Sequence, residues 1–167
     1  MNVRVLILTG LAVFVLYPLT AHGCSCPAPP SKEEQERMLL APTDPEFKRW
    51  WREEFKGAVF IGTVIRIQKV DLKWFDRPTR MKRVTVNVER AWFGVSQQRF
   101  VIYTNMGKGG DCGVPYSKGY KYFFQADVIG EQLWTNICSP TDPDNYKVKL
   151  FEKTFGDGRS FLGTTPR

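Results

Sequence analysis

The sequence predicts a mainly β domain, a small barrel of five short antiparallel strands with flanking helices, stapled by disulfides. Three observations carry that expectation. Apolar and polar residues alternate at a period of two in successive runs between residues 59 and 138. Helix-start signatures stand before the first run and after the last. Four cysteines, Cys24, Cys26, Cys112 and Cys138, follow a stretch that reads as an export leader, and exported cysteines meet an oxidising compartment.

The leader comes first. Residues 1–23 hold one early positive charge, Arg4, and an apolar stretch from Val5 to Leu19, and end in Ala21-His22-Gly23. Small residues three and one positions before Cys24 mark a signal-peptide cleavage site, and the stretch is too short and too poorly flanked to span a membrane. Cleavage after Gly23 would leave about 144 residues beginning with a cysteine, enough for one domain with its own core. The only histidine, His22, leaves with the leader. Without imidazole, Ser-His-Asp and Cys-His nucleophiles, histidine bases and histidine-ligated zinc are all excluded. No acidic pair sits in a recognisable catalytic motif, so no enzyme is expected. The junction has a second reading, because bacterial lipoprotein leaders also end in a small residue before a lipid-linked cysteine. Ala21 stands where such leaders usually carry leucine, and lipidation would leave an odd number of cysteines. The expected location is therefore extracellular or periplasmic, with a lipid anchor only if Cys24 is lipidated.

Ser31-Lys32-Glu33-Glu34 has the form of a capping box and predicts a helix to about Leu40, stopped near Pro42. Thr43-Asp44-Pro45-Glu46 repeats the signature, with proline in the first turn. Phe47, Trp50, Trp51 and Phe55 then form a helical apolar stripe that should pack on the core. From Val59 to Gln68 the period changes to two. Val84, Val86 and Val88 mark a second strand running on to Trp92, and Arg99–Thr104 a third. Tyr120, Tyr122 and Phe124 mark a fourth, and Leu133–Cys138 a fifth. The connection 105–119 carries five glycines and a proline, and Cys112 is placed to pin it. Thr141-Asp142-Pro143-Asp144 opens a closing helix to about Phe155, and residues 156–167 read as a flexible tail. The strand count matches the five-stranded Greek-key OB fold.

Removing Arg4 with the leader takes the formal net charge from +7 to +6. Much of the excess lies at Lys69, Lys73, Arg77, Arg80, Lys82 and Arg83, interleaved with Trp74 and Phe75, in what reads as the loop joining the first two strands. Such a loop would suit an acidic polysaccharide, an envelope surface or an acidic protein, or would simply aid solubility. An exported chain rarely meets nucleic acid, so none is expected as a partner, and a monomer is expected.

Four cysteines allow three pairings. A Cys24–Cys26 bridge would close a tiny strained ring, which leaves the two pairings that tie the N-terminus to remote strands. Each such bridge closes a loop of roughly a hundred residues, worth about 4–5 kcal/mol in the chain-entropy treatment. C-x-C followed by isolated cysteines lacks the paired spacing of zinc sites, so no intrinsic metal or cofactor is expected.

Three signatures stand in order: a mature Cys24-Ser25-Cys26-Pro27 start, Cys112-Gly113-Val114-Pro115-Tyr116 before a Gly-Tyr strand, and a closing Cys138. With Val59-Phe60-Ile61-Gly62-Thr63-Val64 between them, the chain resembles the tissue inhibitors of metalloproteinases and the wider netrin-like domains over residues 24–30 and 57–140. The resemblance implies an OB-fold domain over 24–155, with 31–56 as a helical insertion, and bridges from Cys24 to Cys112 and from Cys26 to Cys138. It implies inhibition of a zinc metalloprotease: the freed amine and carbonyl of Cys24 would chelate the partner's zinc. Ser25 would enter the specificity pocket, Cys26 and Pro27 would continue along the cleft, and Gly110 and Asp111 beside Cys112 would form the second part of the wedge. The family's third disulfide and C-terminal domain are missing. Asp111 places a carboxylate in the wedge, costly to bury unless it finds a donor. Many netrin-like domains are binding modules rather than inhibitors, and that is the alternative expectation.

Overall fold

A computed structural model describes residues 24, 26–74, 77–107, 111–139 and 142–162, with the backbone alone at Trp74. The expected leader over 1–23, together with Ser25, Phe75 and Gly110, lies outside the described residues. The chain is mainly β. Among the described residues the order is α1 (Lys32–Leu40), α2 (Pro45–Glu53), β1 (Gly57–Trp74), β2 (Arg77–Phe93), β3 (Arg99–Thr104), β4 (Lys121–Ile129), β5 (Gln132–Trp134), α3 (Tyr146–Phe155) and β6 (Arg159–Ser160).

Local chemistry sets both early helices. The Ser31 hydroxyl accepts from the Glu34 N–H at 3.2 Å while the Glu34 carboxylate accepts from the Ser31 N–H at 2.8 Å. Both are orphan donors of a first turn, satisfied reciprocally. Asp44 caps α2 by accepting from the Glu46 N–H at 2.8 Å, with Pro45 in the first turn.

The sheet pairings run in a closed circuit. β1 pairs antiparallel with β2 and with β4, β4 with β5, and β2 with β3. A parallel contact, Tyr103 opposite Trp134, joins β3 to β5. Three register shifts between β1 and β2, at Val59/Phe60, Ile61/Gly62 and Val64/Arg66, let β1 bend between its two neighbours. Gly62 sits at this bend. A Cβ there would lie 2.6 Å from the Asn87 carbonyl oxygen, so only glycine allows the strands to approach so closely.

Period-two alternation divides the apolar residues into two clusters. Ala58, Phe60, Val64, Val84, Val86, Val88, Ile102 and Phe124 fill the interior of the circuit. Val59, Ile61 and Phe123 face outward and meet Trp51 of α2 and Val148 and Phe151 of α3. The expected stripe on α2 packs as predicted through Phe47, Trp51 and Phe55, while Trp50 stays 44 % exposed. Burying aromatic and branched side chains of this size contributes about 1.5–3 kcal/mol each.

Five expectations are corrected. The basic connection between the first two strands is not a loop. β1 and β2 continue as a hairpin arm paired through to Trp74 opposite Arg77, so Lys69, Lys73, Arg77 and Arg80 lie on strands. Val70, Leu72 and Met81 keep a period of two beneath the charges. The fifth strand ends at Trp134 rather than Cys138, because Thr135 and Asn136 turn the chain toward the disulfides. The closing helix begins three residues late, capped by Asn145, whose side chain accepts from the Lys147 N–H at 3.0 Å. Asp142 is spent on a turn, accepting from the Asp144 N–H at 2.9 Å. The strands are not all antiparallel, as the β3–β5 contact shows. The first part of the tail is ordered: β6 pairs with Arg90 and Ala91, and Phe161 is buried in the inner cluster.

Candidate functional site

The described residues of the N-terminal arm, 24 and 26–31, form no strand, and the arm is held to the body covalently. Cys24 is bridged to Cys112 with 5.3 Å between Cα atoms, and Cys26 to Cys138 with 5.2 Å, both ordinary for disulfides. This is the pairing the resemblance implies, and all four cysteines are bridged. Two such bridges indicate an oxidising, extracellular-type environment. No helix among the described residues is long and apolar enough to cross a membrane. While Cys24 is bridged to Cys112, its sulfur is not open to a thioether.

Two loops receive the arm. The first follows β3, and its folding depends on Asp111. The Asp111 carboxylate accepts from the Gly107 N–H at 2.9 Å and the Gly113 N–H at 3.1 Å, while its carbonyl accepts from the Asn105 side-chain amide. The donors that this carboxylate needs are thus supplied by its own loop. Cys112 adopts the left-handed region at φ 57, costly for any side chain but glycine. Gly113 follows where a Cβ would lie 2.3 Å from both the Asn105 carbonyl oxygen and the Gly107 nitrogen. The loop is anchored to the core by the Val114 N–H donating to the Thr104 hydroxyl at 3.0 Å.

The second loop runs from β5 to α3. The Thr135 N–H donates to the Tyr103 carbonyl at 2.9 Å, and the Thr135 hydroxyl meets the buried Tyr116 hydroxyl at 3.2 Å. Burial pushes the Tyr116 phenol far above its usual value, so it stays protonated. The Ile137 N–H donates to the Cys112 carbonyl at 2.9 Å, which sets the two loops side by side. The Cys138 N–H donates to the Asn136 side chain at 2.9 Å.

The structure therefore gathers Cys24, Cys26, Pro27, Asp111, Cys112 and Cys138 at one edge of the circuit. Cys26 and Pro27 are exposed, and Cys24, Asp111 and Cys112 half-buried. Ser25 and Gly110, expected in the wedge, lie outside the described residues. Sequence reasoning missed Ile137, which stands 47 % exposed between the two bridges, and the supporting Asn105 and Thr104. Its position directly before Cys138 was the available signal.

The hairpin arm carries the other candidate residues. Arg80 clasps Asp71 through two hydrogen bonds of 2.8 and 3.0 Å, the main cause holding the Asp71 carboxyl below its usual range. Two rungs further on, Lys69 lies directly opposite Lys82, whose amine donates to the Val114 carbonyl at 3.3 Å. That bond leads the charged arm back to the Cys112 loop. Neither a scan against protein-family models nor a search of curated proteins finds a match for this chain.

Proposed function

We propose that the protein is an exported inhibitor of zinc metalloproteases, a netrin-like domain on an OB-type barrel that acts through the N-terminus freed at Cys24. The observation that carries this reading is the double staple, which holds the first residue of the expected mature chain beside the Cys112 loop at an exposed edge. The barrel reading draws on the closed circuit β1-β2-β3-β5-β4, with its parallel contact between β3 and β5.

In this reading the α-amine and carbonyl oxygen of Cys24 displace the water from the open position of a protease's zinc. An α-amine with a reference pKa of about 7.7–8.0 needs little deprotonation near neutral pH. The Cys24 sulfur takes no part, because Cys112 holds it. Pro27 continues along the cleft, Asp111 and Cys112 form the neighbouring ridge, and Ser25 and Gly110 fill the roles the resemblance implies. The Asp111 carboxylate is directed to its own loop's N–H groups, which lowers the cost of covering it. One alanine added before Cys24 converts the amine to an amide and adds bulk beside the metal. Inhibition should fall about a thousandfold or more with the fold intact; equal potency of both forms would refute chelation.

A second reading, a binding module for an acidic polysaccharide or envelope surface, is favoured by one observation. Like charges face each other at Lys69 and Lys82, a rung that an anion would relieve. Retention on an anionic polysaccharide that weakens steeply with salt, and is lost in a Lys69→Ala, Lys82→Ala variant, would support it.

A further inference from the structure

The two bridges are not equivalent. Cys26 and Cys138 are both exposed, whereas Cys24 and Cys112 are half-buried. A pocket of about 420 Å³ opens on the outer bridge, walled by Pro27, Pro29 and Pro30 on one side and by Asn145, Tyr146 and Lys147 of the α3 start on the other. Both Cys26 and Cys138 line it. Lys147 is half-buried, and desolvation draws its amine below the usual lysine range. A cation beside a disulfide stabilises the thiolate that leaves when the bond is attacked, and an exposed disulfide is the one an incoming thiolate reaches.

We infer that the Cys26–Cys138 bridge is a thiol-exchange site, opened by a dithiol reductant that enters the pocket beside Lys147. The thiolate of the reductant forms a bond to one sulfur as the S–S bond breaks, and the electron pair leaves on the other sulfur, in the pocket that Lys147 also lines. The second thiol of the reductant then resolves the mixed disulfide, leaving Cys26 and Cys138 as thiols and the reductant as a cyclic disulfide. The Cys24–Cys112 bridge stays closed, so the arm loosens beyond Cys24 without detaching. Nothing in this step depends on protease inhibition.

The test treats the folded, fully bridged protein with dithiothreitol at pH 7 without denaturant. Aliquots are trapped with iodoacetamide and mapped by peptide mass. Cys26 and Cys138 should become labelled together, at least about tenfold faster than Cys24 and Cys112. Lys147→Ala should slow that step severalfold and Lys147→Arg should retain it, with circular dichroism showing each variant folded. Opening of Cys24–Cys112 first, or of both bridges at one rate, would overturn the inference. An unchanged rate in Lys147→Ala would overturn the role of the cation.

Discussion

Removing the two bridges singly and together tests how the arm is held. The perturbations are Cys26→Ser with Cys138→Ser, Cys24→Ser with Cys112→Ser, and all four at once. The bridges span sequence separations of 88 and 112 residues. Taken alone, loops of that size contribute about 4.6 and 4.8 kcal/mol in the chain-entropy treatment. They are not independent. With either bridge closed, the other completes a loop of only about 28 residues, through two residues of the arm and twenty-six between Cys112 and Cys138, worth about 3.6 kcal/mol. Each single removal should therefore cost about 3.6 kcal/mol, and the double removal about 8 kcal/mol. The excess of roughly 1 kcal/mol over the sum of the singles is the signature of two bridges sharing one arm. Urea unfolding followed by tryptophan fluorescence reads these values, with the double variant near the limit of a domain stable by about 5–15 kcal/mol. A double variant no less stable than the singles, or singles losing under about 1 kcal/mol, would refute this account of the arm.

Three further outcomes are expected. Asp111→Ala deprives the Gly107 and Gly113 N–H groups of their acceptor and should destabilise the domain by about 2–3 kcal/mol in urea. Gly113→Ala, which forces a Cβ against two backbone atoms, should cost about 1–3 kcal/mol by the same assay. The Asp127 carboxyl is raised above its usual range by desolvation, so its contribution is present at low pH and is lost as pH rises through the folded-state pKa. Asp127→Asn should therefore melt higher than the native protein at neutral pH and equal to it at pH 3. A stabilisation that persists at pH 3 would contradict the desolvation argument.

The parts of the fold legible in the sequence are those set within a few residues. Ser31 and Glu34 meet across one turn, and their spacing declares the cap. Val59 and Ile61 alternate with Phe60 because each face of β1 has its own cluster. The hairpin arm was hidden because Lys69, Lys73, Arg80 and Lys82 draw attention to charge, while the two-residue period survives only in Val70, Leu72 and Met81. The parallel contact of Tyr103 with Trp134 and the return of Phe161 to the core join distant segments, which no local pattern announces. At α3, two capping residues lie in succession, and propensity does not decide between Asp142 and Asn145. The cysteine pairing at the candidate site was implied only by the resemblance, since spacing left two arrangements open. The hydrogen bonds of Asp111 back to its own loop depend on a left-handed Cys112, for which the sequence offers no sign.

The central claim is that the Cys24 amine and carbonyl occupy a protease's metal. Cobalt(II) substituted for the catalytic zinc of a metalloprotease reports its ligands through visible absorption. Adding the mature protein beginning at Cys24 should change the cobalt spectrum in step with loss of activity, as nitrogen and oxygen ligands replace water, while the alanine-extended protein leaves the spectrum unchanged. Inhibition by the mature protein with an unaltered cobalt spectrum would contradict the account.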